Sequence, residues 1–84
     1  MITVWVNGCF DILHRGHLEM LKYARSLGDR LIVGVDTDER VAAAKGPSRP
    51  FNKLDDRKYI LNTIKHVDSV VSFGTDEELR EHLK

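Results

Sequence analysis

Residues 2–17 read Ile-Thr-Val-Trp-Val-Asn-Gly-Cys-Phe-Asp-Ile-Leu-His-Arg-Gly-His. The first five are apolar or β-branched and read as a buried strand over 2–6. An amphipathic stretch beginning at Leu18 follows, so residues 7–17 form a loop between a strand and a helix, with His14 and His17 where the helix starts. A helix N-terminus presents unpaired backbone N–H groups and the positive end of a dipole, which suits phosphate. Two imidazoles beside those groups add donors that can follow charge developing on a reacting phosphoryl group.

The pattern around this stretch repeats. Leu18, Leu21, Ala24 and Leu27 recur at near-helical spacing, and Gly28 is placed to end that helix in a left-handed conformation. Leu31–Val35 reads as a second buried strand, closed by Asp36-Thr37-Asp38. A short helix over Glu39–Ala44 leads into Lys45-Gly46-Pro47-Ser48-Arg49-Pro50, a loop because Gly and both prolines interrupt regular structure. A helix from about Leu54 to His66 is expected to turn Tyr59 or Ile60, Ile64 and Val67 inward. Asp68–Phe73 is a third strand, and Thr75 is an N-cap for a last helix over Asp76–Leu83, with Glu78 completing a capping box.

Strand–helix alternation with continuous apolar strands predicts an α/β fold: a parallel sheet under helices, joined by right-handed crossovers, in one domain over 1–84. Ligands in such sheets bind outside the carboxyl ends of the strands. The 7–17 loop, Asp36 with Asp38, and Phe73-Gly74 all fall at those ends.

Composition narrows the function. Thirteen basic and thirteen acidic side chains cancel, so no global field advertises nucleic acid. The single cysteine, Cys9, excludes an intrachain disulfide and supplies too few thiols for a structural zinc site. No apolar run approaches the ~20 residues of a membrane span, and no charged leader precedes the first strand, so a cytoplasmic protein is expected. Neither G-x-G-x-x-G nor G-x-x-x-x-G-K-[ST] occurs, which sets aside a dinucleotide fold and a P-loop. The bare H-x-x-H pair admits three readings: a metal pair, a helix cap plus a packed ring, or a phosphate site. No cysteine or third histidine nearby completes a metal site.

Gly8, Phe10, Asp11, His14, Gly16 and His17 together resemble the nucleotide-binding motif of the cytidylyltransferase-like nucleotidyltransferases. The resemblance continues through Leu27–Val35, Asp38, Arg57 and Val67–Val71. The Lys45–Asn52 stretch is most similar to the branch of adenylyltransferases that act on heptose 1-phosphate, while glycerol-3-phosphate cytidylyltransferases share the first motif only. The resemblance implies a Rossmann-like three-layer α/β/α fold, here reduced to about three strands in the order 3-2-1. A relative would continue past Lys84 with two further strands and a Gly-x-Ser-Thr-Thr segment.

It also implies transfer of a nucleoside monophosphate from ATP or CTP to a sugar or polyol phosphate, with Mg²⁺ arriving on the nucleotide and pyrophosphate leaving. His14, His17 and Lys45 would be catalytic. Gly8, Cys9, Phe10 and Gly16 would join the two histidines in holding the nucleotide. Asp11, Asp38, Lys45, Arg49 and Arg57 would contact the acceptor. Read from the residues alone, Asp11 and Asp38 could equally be turn or cap residues, and Lys45 a solvated side chain. Arg57 lies at the start of a helix, where the dipole disfavours a cation and calls for an anionic partner. An uncovered strand 1 would favour a homodimer or association through its edge. The alternative to an enzyme is a non-catalytic nucleotide- or phosphate-binding subunit that acts through a partner chain.

Overall fold

The computed structural model describes all 84 residues. The elements run β1 (Thr3–Gly8), α1 (Arg15–Ser26), β2 (Arg30–Asp36), α2 (Asp38–Lys45), α3 (Leu54–Asn62), β3 (Ser69–Phe73) and α4 (Asp76–His82). The three strands form one parallel sheet in the order β1-β2-β3, as the alternation predicts. Val6 stands beside Val33, and Val33 beside Val70.

Period-two alternation divides the sheet into unlike faces. Leu31, Val33 and Val35 of β2 point to one face and pack with Leu21 and Ala24 of α1 and Leu61 of α3. Val4, Val6 and Val70 close this core from the neighbouring strands. Each fully buried aliphatic side chain there contributes about 1.5–3 kcal/mol. On the opposite face Gly34 leaves room for the Trp5 indole and the Phe73 ring, the nearest atoms to where a Cβ at that position would lie. Helix α4 packs behind β3, and its His82 ring stacks on Trp5 with centroids 5.8 Å apart.

Two aspartates secure the other end of the sheet. Asp29 accepts from the N–H of Ile2 at 2.7 Å. Asp68 accepts from the N–H of Leu31 at 2.7 Å and pairs with Arg25.

Several local expectations change. Helix α1 begins at Arg15, one turn before the apolar pattern, because His14 caps it; Leu18 and Leu27 stay exposed while Leu21 and Ala24 are buried. Gly28 is not a left-handed terminator: Leu27 ends the helix with right-handed geometry. A Cβ on Gly28 would lie 2.7 Å from the Ile2 carbonyl and 2.8 Å from Val4 Cγ2, so glycine there permits close approach of α1 to β1. Helix α3 stops at Asn62, and Tyr59 and Ile60 face solvent. The inward stripe is Arg57 and Leu61, four residues apart, followed by half-buried Ile64. Strand β1 is half-buried rather than buried, since it forms the sheet edge.

Candidate active site

The carboxyl ends of β1 and β2 carry the chemistry-bearing residues. After Gly8 the chain turns through Phe10, whose φ of 51° is left-handed. A non-glycine residue there costs about 1–2 kcal/mol. The turn buries the Phe10 ring against Gly8, where an added Cβ would stand 3.3 Å from Cε2. The same ring meets His17 edge-on at 5.9 Å.

His14 is the N-cap of α1. Its Nδ1 accepts from the N–H of Gly16 at 3.0 Å, and its own N–H donates to Nδ1 of His17 at 3.2 Å. This reciprocal arrangement is a capping box built from two imidazoles, whose ring centroids lie 4.1 Å apart. A nitrogen that accepts a backbone N–H carries no proton, so the hydrogen-bond pattern assigns the proton of each neutral ring to Nε2. Neither Nε2 bonds within the chain, and both remain available as donors. The His17 pKa is lowered by burial first, then by the charges of His14 and Lys45.

Gly16 has a steric role beside the one expected of it in holding the nucleotide. A Cβ there would lie 2.7 Å from Cε1 of His14, so glycine admits the imidazole itself.

Lys45 ends α2, exposed, and Gly46 follows with φ 111°. The next turn brings Arg49 over the Phe51 ring, 4.4 Å from its centroid. Asp11 then grips the loop. Its carboxylate accepts from the N–H groups of Phe51 and Asn52, both at 2.8 Å, and Asn52 Nδ2 donates back to the Asp11 carbonyl at 2.7 Å. Burial would raise the Asp11 pKa, but those two N–H groups and the charges of Arg57 and Arg49 outweigh it and hold the carboxyl below its usual value.

Arg57 is turned inward and fully buried. Nε donates to the Asn52 carbonyl at 3.0 Å, and Nη1 to the carbonyls of Cys9 and Asp36 at 2.9 and 2.7 Å. Nη2 pairs with Asp38 at 2.7 Å. The anionic partner that the start of α3 calls for is therefore Asp38, inside the chain. Arg57 is turned away from any acceptor substrate because its one planar guanidinium satisfies four hydrogen-bond acceptors at once, while Asp38 pairs with it and stays part-exposed. No buried side-chain nitrogen or oxygen is left unpaired.

The structure thus brings Gly8, Cys9, Phe10, Asp11, His14, Gly16, His17, Asp38 and Arg57 to one end of the sheet. Lys45 is close enough to act on the His17 charge, and Arg49 on that of Asp11. The one sizeable hollow, about 270 Å³ among Glu19, Lys22, Tyr23 and Ser26 of α1, shares no residue with this cluster. The chain groups no three His, Cys, Asp or Glu side chains as a metal site. Asn52 is the member that sequence reasoning missed as a functional residue. Its only signal was its place within the Lys45–Asn52 stretch.

The model of the cytidylyltransferase-like family matches residues 5–84. The chain belongs to that family. Bifunctional protein HldE of Pseudomonas savastanoi pv. phaseolicola is 53% identical over 83 residues, covering 96% of this chain and 18% of that protein. HldE of Gluconacetobacter diazotrophicus is 52% identical over 75 residues, 89% of this chain and 16% of the relative. The chain therefore spans less than a fifth of these relatives. Among solved structures, the lipopolysaccharide core biosynthesis protein of Thermoplasma volcanium GSS1 superposes with a TM-score of 0.81 at 32% identity, over 99% of this chain and 66% of that one. The nucleotidyltransferase fold expected from the motif is the fold observed. No helix is long and apolar enough to cross a membrane.

Proposed function

We propose that this chain forms the triphosphate-binding part of a nucleotidyl-transfer site, moving AMP from ATP to a sugar phosphate with release of pyrophosphate. The observation that carries the reading is the pair of imidazoles with Nδ1 fixed by the start of α1 and Nε2–H unused. In the reaction, an acceptor phosphate oxygen bonds to the α-phosphorus while the bond from that phosphorus to the bridging oxygen of pyrophosphate breaks. His14 and His17 donate Nε2–H to phosphoryl oxygens, so they bind charge as it develops without changing protonation state. Lys45 neutralises triphosphate or acceptor charge, the N–H groups of Cys9 and Phe10 face the nucleotide, and Arg49 contacts the acceptor.

Mg²⁺ would arrive with the nucleotide and would screen the charge of its phosphates. A heptose phosphate is the favoured acceptor. The Lys45–Asn52 resemblance supports it, as does the likeness to a lipopolysaccharide core biosynthesis protein. CTP and a polyol phosphate are the second choice of substrates. A cytoplasmic location follows from these substrates.

A binding module that works through a partner is the competing reading. It draws on β1 having no strand on its outer side, which leaves backbone groups open to another chain or a second copy. Pyrophosphate release from ATP or CTP with heptose 1-phosphate or glycerol 3-phosphate, measured beside MgATP affinity and oligomeric state, separates the two. Turnover establishes the enzyme. Nucleotide binding without turnover for any pair establishes the module. Absence of both refutes the site.

A further inference from the structure

We infer that Asn52 is a positioning residue that holds the loop between Lys45, the last residue of α2, and α3, with Arg49 on it, beside the histidine motif. The inference rests on the nucleotide-binding reading above and extends it to a residue that touches no substrate.

Asn52 uses three of its polar groups at the junction: its N–H, its Nδ2 and its carbonyl. Its N–H and Nδ2 bond the carboxylate and carbonyl of Asp11, at 2.8 and 2.7 Å. Its carbonyl accepts from Arg57 Nε at 3.0 Å. Asp11 is three residues before His14, and Arg57 also holds the Cys9 carbonyl, so Asn52 is tied to both sides of the motif loop. In the other direction, the chain from Asn52 back to Lys45 has few polar anchors, its one buried residue being Pro50. Gly46 N–H bonds Ala42, and Arg49 N–H bonds Gly46 within the turn. Arg49 leans on exposed Phe51, whose own N–H is fixed by Asp11. The Asp11 clamp on Phe51 and Asn52, together with buried Pro50, therefore fixes where the turn carrying Arg49 stands relative to the histidine motif.

A residue that positions cations changes ligand affinity only while those cations are present. A general structural role would weaken binding whether or not they are. The test is a thermodynamic cycle on the full chain with MgATP as the probe, followed by calorimetry below the unfolding midpoint. Asn52→Ala is expected to weaken binding about tenfold in the wild-type background and to have no further effect when Lys45→Ala and Arg49→Ala are already in place. Asp11→Asn, which leaves one of the two loop N–H groups without its acceptor, should show the same dependence on background and serves if Asn52→Ala does not fold.

An equal loss in both backgrounds, or no loss in the first, overturns the positioning role while the nucleotide site stands. Failure of both variants to fold makes the clamp a folding element and overturns it likewise. Absence of MgATP binding by the wild-type chain refutes the nucleotide site itself, and the positioning role with it.

Discussion

The backbone N–H of His14 donates to Nδ1 of His17, while Nδ1 of His14 accepts from Gly16, so each imidazole is oriented by the helix start the other helps to form. The same two rings are the proposed phosphate donors. Cap and site can therefore be separated only by substitutions that keep one and lose the other.

Replacing His14 by Ala removes both functions. It should cost about 1 kcal/mol of stability as a lost N-cap and a hundredfold or more in turnover. His14→Asn keeps an acceptor at the cap position but has no counterpart of Nε2. Its denaturation midpoint should stay near the wild-type value while MgATP affinity and turnover fall as in the alanine variant. Parallel urea titrations and calorimetry read this directly, and full binding by His14→Asn would contradict the proposed role.

Gly16→Ala tests the same ring sterically. The new Cβ would lie 2.7 Å from Cε1 and 3.0 Å from Nδ1 of His14, forcing the imidazole aside. Alanine gains up to about 1 kcal/mol in helix propensity over glycine, which offsets the disturbed cap. The expected result is a small shift in melting temperature beside a loss of about tenfold or more in MgATP affinity.

Acid should act in two stages. Burial, then the charges of His14 and Lys45, hold the His17 pKa below 6.5, so the unfolded chain takes up this proton first. Stability due to this group is complete above pH 6.5 and is lost as pH falls through the lowered folded value. Asp11, also held below its ordinary value of 3.8, adds a second loss that starts below that pH. Melting temperatures measured from pH 8 to 3 should show both steps. His17→Asn should remove the first and Asp11→Asn the second.

Arg57→Met should be the most damaging change in the site region. It leaves three carbonyls without their donor, at about 1–3 kcal/mol for each that stays buried, and the part-exposed Asp38 carboxylate without its partner. A domain of this size has only about 4–12 kcal/mol in total. Asp38→Asn retains an acceptor oxygen and should cost distinctly less. Denaturant midpoints order the two, and a larger loss for Asp38→Asn would contradict the account.

Local pattern made the architecture legible. Leu31–Val35 and Ser69–Phe73 are apolar runs bounded by charged or turn residues, and their alternation with helices leaves few topologies open. The motif was legible for the same reason, since Gly8 to His17 lie within one turn and one helix start. Helix faces were harder. Tyr59 or Ile60 read as core because hydrophobicity decides such faces, whereas Arg57, expected to meet an acceptor substrate, is the buried residue; its burial follows four hydrogen-bond acceptors, which no periodicity encodes. Gly28 misled similarly, since glycine after a helix serves either a left-handed turn or a close approach. Only the position of Ile2 and Val4 decides between them.

Asp11 meets Phe51 and Asn52 across 40 and 41 residues of chain, and Cys9 meets Arg57 across 48. Closing loops of that length is entropically unfavourable until the sheet has formed. During synthesis the histidine motif emerges ahead of Arg57 and should stay an unorganised loop until Arg57 has followed it. The proposed phosphate site should thus be assembled only after both segments are present, and an isolated peptide spanning the motif is expected to lack it.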